Sequence, residues 1–216
     1  MRAADDLFIY PWNQPTANNC NAYLAGGVLI DPGHGHLFSH VEDGMAADQA
    51  PFPKLVVLTH CHPDHMEAAV KMQELGAKVA MHPDEAAFME AEGRQLAASL
   101  GMRAPDLTPD IFLEEGSFQV DGEEFQVLLT PGHSPGHIVL YWPKYQALFS
   151  GDLVFVQGVG RVDFPGGDAE ALKESVRRVS GLDIEVLLPG HGPALQGADQ
   201  IKANFQIIEQ SYFGMI

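Results

Sequence analysis

Lys54 to His65 reads KLVVLTHCHPDH. The run Lys54 to Thr59 is a continuous apolar stretch with β-branched members, the pattern of a strand covered on both faces. The six positions His60 to His65 that follow hold three histidines and one aspartate, so a buried strand delivers a dense set of polar side chains to its end. Loops at strand ends are where layered α/β chains build their sites.

Short strands are expected upstream at Leu7 to Tyr10, Asn21 to Leu24 and Val28 to Ile30, the last closed by Asp31-Pro32-Gly33. Downstream, Met66, Ala69, Val70 and Leu75 recur at helical spacing, and a second helix is expected over Asp84 to Leu100 with Asp84 as its N-cap. Gly101 to Gly116 reads mostly as loop. Ser117 to Val120 and Glu123 to Thr130 form a predicted hairpin around Asp121-Gly122, and Ile138 to Trp142 pairs with Ala147 to Ser150 around Pro143-Lys144. A helix over Asp168 to Ser180, a strand over Glu185 to Leu188 and a C-terminal helix at about 198–213 complete the chain. The last helix sets Ile201, Phe205, Ile208 and Tyr212 on one face, available to its own domain or to a second copy. No linker divides residues 1–216, so one domain of sheets inside and helices outside is expected.

Composition narrows the function. The 216 residues contain 12 Lys and Arg against 29 Asp and Glu, a formal charge of −17. That sign opposes nucleic acid and anionic membrane surfaces, whose binding needs clustered cations. The N-terminus lacks the apolar core of a signal peptide and no run reaches the length of a membrane span, so the chain is read as cytoplasmic. Two cysteines, Cys20 and Cys61, are too few for a disulfide scaffold, whereas ten histidines stand out.

Four strand ends share one habit: LVVLT runs into His60, FQVLLTPG into His133, ALFSG into Asp152 and EVLLPG into His191. Imidazole nitrogens and carboxylate oxygens ligate zinc, iron and manganese, and a tight turn lets alternate residues face different ions. His60, His62, Asp64, His65, His133, Asp152 and His191 are therefore candidate ligands of a metal pair. Glycine beside His133, Asp152 and His191 lets the backbone bend toward an ion.

His60-x-His62-x-Asp64-His65, followed by His133, Asp152 and His191, resembles the metallo-β-lactamase fold superfamily over nearly the whole chain. The resemblance implies an α/β chain built as a four-layer αβ/βα sandwich with metals at one edge of its two sheets. It also implies that His60, His62 and His133 hold one ion, that Asp64, His65 and His191 hold a second, and that Asp152 and a hydroxide bridge them. The motifs TPGHSPGH (130–137), SGDLVF (150–155), GVGRVDFPGGD (158–168) and PGHGP (189–193) are similar to small glyoxalase II-like proteins. These imply a dinuclear hydrolase that cleaves thioesters of the S-acylglutathione type by attack of the bridging hydroxide, with Asp64 and Asp152 catalytic. Two divalent ions per chain, zinc first and iron or manganese as alternatives, are the expected cofactors. A small-molecule thioester is the expected partner, with the chain a monomer or homodimer. The motifs THCHPDH and GVGRVDF also resemble iron persulfide dioxygenases, which would use only His60, His133 and Asp152; a non-catalytic metal-binding protein is the third reading.

Around these residues, Cys61 is expected to face away from the metals as a buried filler. His137 is either a support for a ligand or an ordinary residue at a strand start, and Asp31 is expected to support the loop below the site. Arg161 either meets an anionic substrate end, as the resemblance suggests, or pairs with Asp163 or Asp168. Relatives usually carry glycine shortly after the Asp-His pair, where Met66-Glu67-Ala68-Ala69 stands here, and Glu67 reads as a first-turn helix residue. His34, His36, His40 and His82 are expected to be solvated or structural.

Overall fold

Two sheets lie face to face in the computed structural model, which describes residues 2–4, 6–14, 16–99, 101 and 106–216. The first orders its strands as they occur in the chain: β1 (Arg2–Ala4), β2 (Leu7–Tyr10), β3 (Ala22–Ala25), β4 (Val28–Ile30), β5 (Leu55–Val57), β6 (Lys78–Met81) and β7 (Ile111–Phe112). Strands β1 to β4 meander antiparallel, and β4 to β7 run parallel through crossovers. Strands β8 (Gly116–Val120), β9 (Glu123–Leu129), β10 (Ile138–Trp142) and β11 (Ala147–Gly151) open the second sheet antiparallel. After a small ribbon of β12 (Val154–Phe155) and β13 (Gly158–Val159), β14 (Val186–Pro189) adds parallel to β11 and β15 (Leu195–Gln196) closes the edge.

Helices α1 (Ser39–Asp48), α2 (Pro63–Met66), α3 (Ala69–Glu74), α4 (Pro83–Phe88) and α5 (Arg94–Ser99) belong to the first half, and α6 (Ala169–Val179) and α7 (Ala198–Ser211) to the second. Three apolar clusters show the layering. Val57, Ile30, Ile138, Leu140, Trp142 and Phe149 fill the space between the sheets. Phe38, Val41, Met66, Met72 and Phe88 cover the outer face of the first sheet, and Leu172, Val176, Ile201, Phe205 and Ile208 cover that of the second. The period of two is visible in β10, where Ile138, Leu140 and Trp142 enter the central core while Val139 and Tyr141 enter the outer one. Each fully buried side chain of this size contributes about 1.5–3 kcal/mol. This is the four-layer αβ/βα sandwich that the sequence implies, and no helix among the described residues is long and apolar enough to cross a membrane.

Several local expectations are corrected. The helix expected over Met66 to Leu75 is two short helices, α2 and α3, separated at Glu67 and Ala68. The next helix begins one residue earlier than read, with Pro83 at its first position. Its N-cap is His82, whose Nδ1 accepts from the Asp84 amide at 3.2 Å. It continues from α4 to α5 through a π turn at Met89–Gly93, and its expected end at Leu100 lies outside the described residues. The Gly101 to Gly116 stretch contains β7, too short for a periodic signal; residues 102–105 of it also lie outside. The 121–122 hairpin turn is as read, with Asp121 and Gly122 at φ of 52° and 85°, both in the left-handed region that such a turn requires. The apolar face of α7 packs on its own chain.

Candidate metal centre

All four strand-end loops open on the same edge of the sandwich. His60, His62, Asp64 and His65 follow β5 and run into α2, His133 lies between β9 and β10, Asp152 follows β11, and His191 follows β14. His60, His65 and His133 are closed from solvent, Asp152 and His62 are buried, and His191 and Asp64 are half-buried.

Three ring nitrogens converge in the first group. His133 Nε2 lies 3.3 Å from His60 Nε2 and 2.9 Å from His62 Nδ1. A tetrahedral ion with metal–nitrogen bonds of about 2.0–2.1 Å separates its donors by roughly 3.3 Å, so the three rings already stand at ligand spacing. In the second group, His191 Nε2 is 3.2 Å from His65 Nε2 and 3.3 Å from Asp64 Oδ2. Asp152 stands between the groups: its Oδ2 is 3.5 Å from both His133 Nε2 and His191 Nε2, and its Oδ1 is 3.3 Å from His65 Nε2. That Oδ1 is buried and makes no hydrogen bond, an arrangement that costs free energy unless a cation answers it. This donor set fits a pair of divalent ions.

The far side of each ring is anchored. Asp31 Oδ2 accepts from His65 Nδ1 at 2.9 Å and from the Thr59 hydroxyl at 2.7 Å, while Asp31 Oδ1 accepts from the Thr59 amide. The same hydroxyl accepts from His60 Nδ1 at 2.9 Å, and the Arg161 carbonyl accepts from His133 Nδ1 at 2.8 Å. These partners hold the proton on Nδ1 of His60, His65 and His133 and so turn Nε2 of each ring to the cavity. His137 acts one step further back. Its Nε2 accepts the Asp152 amide at 3.1 Å and its Nδ1 donates to the Thr130 hydroxyl, which settles it as a support for Asp152.

Glu85, on α4, ties the two loops of the first group together. It is fully buried and accepts from the Cys61 amide (2.7 Å), the Ser134 hydroxyl (2.8 Å) and the Gly136 amide (2.9 Å). Asn18 Nδ2 donates to Asp64 Oδ2 at 2.6 Å, and Asn21 Nδ2 donates to the carbonyls of Pro189 and Gly192 on either side of His191. The sequence reading missed Glu85, Asn18 and Asn21, because their partners lie 24 to 171 residues away. Gly151 does bend the chain, with φ of 47°. Gly190 is required for a different reason, since a Cβ there would run into the Asp152 carboxylate.

Electrostatics follows from this crowding. Burial, then the neighbouring His65, His62 and His133, pushes His60 well below its ordinary range, and burial with His133 pushes His62 down to about 3. His65 and His191 go the other way: burial opposes their charge, but Asp152 outweighs it and raises His191 to about 9. Asp152, despite its burial, is held well below the usual carboxylate range by His65 and His191.

A cavity of about 620 Å³ opens over the donors, lined also by Asn18, His34, Phe155, Val159, Arg161 and Phe164. Arg161 makes two 2.7 Å hydrogen bonds to Asp163 and lays its guanidinium 3.5 Å from the Phe164 ring centre, while Asp168 caps α6 instead. Cys61 packs in the outer core, away from the donors. Glu67 is bonded to His34, which the sequence did not pair with it.

Comparison with known proteins accords with this geometry. The hydroxyacylglutathione hydrolase GloC of Haemophilus influenzae is 35% identical over 145 residues, 64% of this chain and 68% of that protein. The crystal structure of BLEG-1 B3 metallo-beta-lactamase superposes with a TM-score of 0.78 at 28% identity, covering 97% of this chain and all of that one. A protein solved in a di-iron-bound form superposes with a TM-score of 0.73 at 34% identity, covering 92% and 96%. A sequence profile of the metallo-beta-lactamase superfamily matches residues 15–191, and with the seven donors assembled at one sandwich edge the chain belongs to that superfamily.

Proposed function

We propose that the chain is a dinuclear metallohydrolase that cleaves thioesters of the S-acylglutathione type, with His60, His62 and His133 holding one ion and Asp64, His65 and His191 the other. The observation that carries this reading is Asp152, whose carboxylate stands within 3.5 Å of donors from both groups. Divalent ions, zinc first with iron or manganese as alternatives, would supply Lewis acidity that brings water near its ionisation point at neutral pH and polarises the acyl oxygen. The similarity to the Haemophilus hydroxyacylglutathione hydrolase supports the substrate class.

The chain's own groups do the rest. Asp64 accepts from Asn18 and lines the cavity, placed to orient a water and accept its proton. Phe155, Val159 and Phe164 give an acyl group an apolar wall and limit water beside it. A thiol with a pKa near 8.5 leaves as thiolate with little help, so no separate general acid is needed. Arg161 is the cation at the rim. Its pair with Asp163 is exposed and weakened by solvent, so a substrate carboxylate can compete for it.

The test is metal content together with substrate turnover. About two ions per chain and oxygen-independent thiol release from S-lactoylglutathione, lost in Asp152→Ala, are expected. Turnover of a cephalosporin but not the thioester, or one iron with oxygen uptake on a glutathione persulfide, would replace this reading.

A further inference from the structure

Outside the buried donors, the described residues hold one more convergent set of ligating side chains. His34 and His36 flank Gly35 in the turn after Asp31-Pro32-Gly33, and Glu67 follows α2. Each offers a donor atom, and the three atoms lie within 4.8 Å of one another.

Two of the three are already held in place. His34 Nδ1 is 2.9 Å from Glu67 Oε2, the same oxygen accepts from the Gly35 amide at 3.3 Å, and the His34 amide donates to Asn19. The His36 ring lies 5.1 Å from that of His34, tilted by 45°, and is exposed. None of the three is bonded to the seven donors of the centre.

We infer that His34, His36 and Glu67 form a separate divalent-cation site at the rim of the cavity, taking zinc, nickel or copper. Two imidazoles with one carboxylate select such ions over magnesium or calcium, which prefer all-oxygen sets. Three ligands, one of them exposed, leave open positions, so the ion exchanges with solvent and binds more weakly than at the buried centre. A net charge of −17 favours a cation there. Because His34 also walls the cavity over Asp64 and His191, an ion in this place stands beside the path of substrate. This site does not depend on the reaction proposed above.

Equilibrium dialysis of the full chain against rising free zinc, with zinc counted per chain, tests it in the wild type, His36→Ala and Glu67→Gln. The wild type is expected to take up one ion more than either variant at the high end, with identical tightly held complements and unchanged circular dichroism. Equal counts throughout would overturn the site. So would variants that lose tightly held zinc, since these residues would then report on the buried centre. Thioester turnover plays no part in the readout, so failure of either idea leaves the other standing.

Discussion

Asp31 lies directly behind His65, its Oδ2 2.9 Å from the ring Nδ1, and both side chains are closed from solvent. The same carboxylate receives the Thr59 amide and hydroxyl, and Thr59 in turn receives His60, so a single residue orients one ring in each donor group. Asp31→Asn is expected to lower metal affinity about 10–100-fold. Competition with a chromophoric chelator measures this, and an unchanged affinity would remove Asp31 from the positioning role.

Removing metal should destabilise the fold. An ion present at about a thousand times its dissociation constant stabilises the folded state by about 4 kcal/mol, and for a chain of this size each kcal/mol moves the melting temperature by roughly 2–4 °C. Thermal unfolding with and without chelator is expected to differ by about 8–16 °C on this basis. No shift would mean that the converging nitrogens are not an ion cradle.

Glu85 accepts three hydrogen bonds without touching either donor group. Glu85→Ala strands the Cys61 and Gly136 amides and the Ser134 hydroxyl, each costing about 1–3 kcal/mol when buried and unpaired. Urea unfolding is expected to show a loss of about 3 kcal/mol or more. Glu85→Gln turns one acceptor into a donor and is expected to lose less.

At alkaline pH, Tyr10 makes its own prediction. Burial, then the charge of Asp48, pushes its hydroxyl up to about 12, while in the unfolded chain it ionises near 10. The unfolded state therefore loses its proton first, so this contribution to stability is intact below about pH 10 and declines as pH rises toward 12. The hydroxyl is buried and makes no hydrogen bond, so Tyr10→Phe should be nearly neutral in stability at about pH 7 and fall less steeply above pH 10. Parallel slopes for the two proteins would contradict this.

What the sequence shows and hides follows from how far each interaction reaches. The strand-end residues His60, His133, Asp152 and His191 are legible because an apolar run stops abruptly before each, and Asp121-Gly122 is legible because its turn needs left-handed backbone. His82 is hidden as a cap because Asp84 two positions later is the commoner capping residue, yet its ring, not that carboxylate, meets the helix amide. Glu85 looks like an ordinary first-turn glutamate, since nothing local reveals that the loop carrying Ser134 and Gly136 folds onto it. Gly190 reads as a bend, and only the packed Asp152 carboxylate beside it gives the real reason.

The spacing of the donors along the chain also sets an order during synthesis. His60, His62, His133 and Asp152 have all been translated before His191, which joins His65 across 126 positions. A growing chain thus owns every member of the three-imidazole cradle while the other group still lacks a ligand. That last ligand arrives with β14, the strand that locks parallel against β11. The pairing of β14 with β11 is therefore what carries His191 to the second donor group, so that group depends on a strand translated well after the first group is complete.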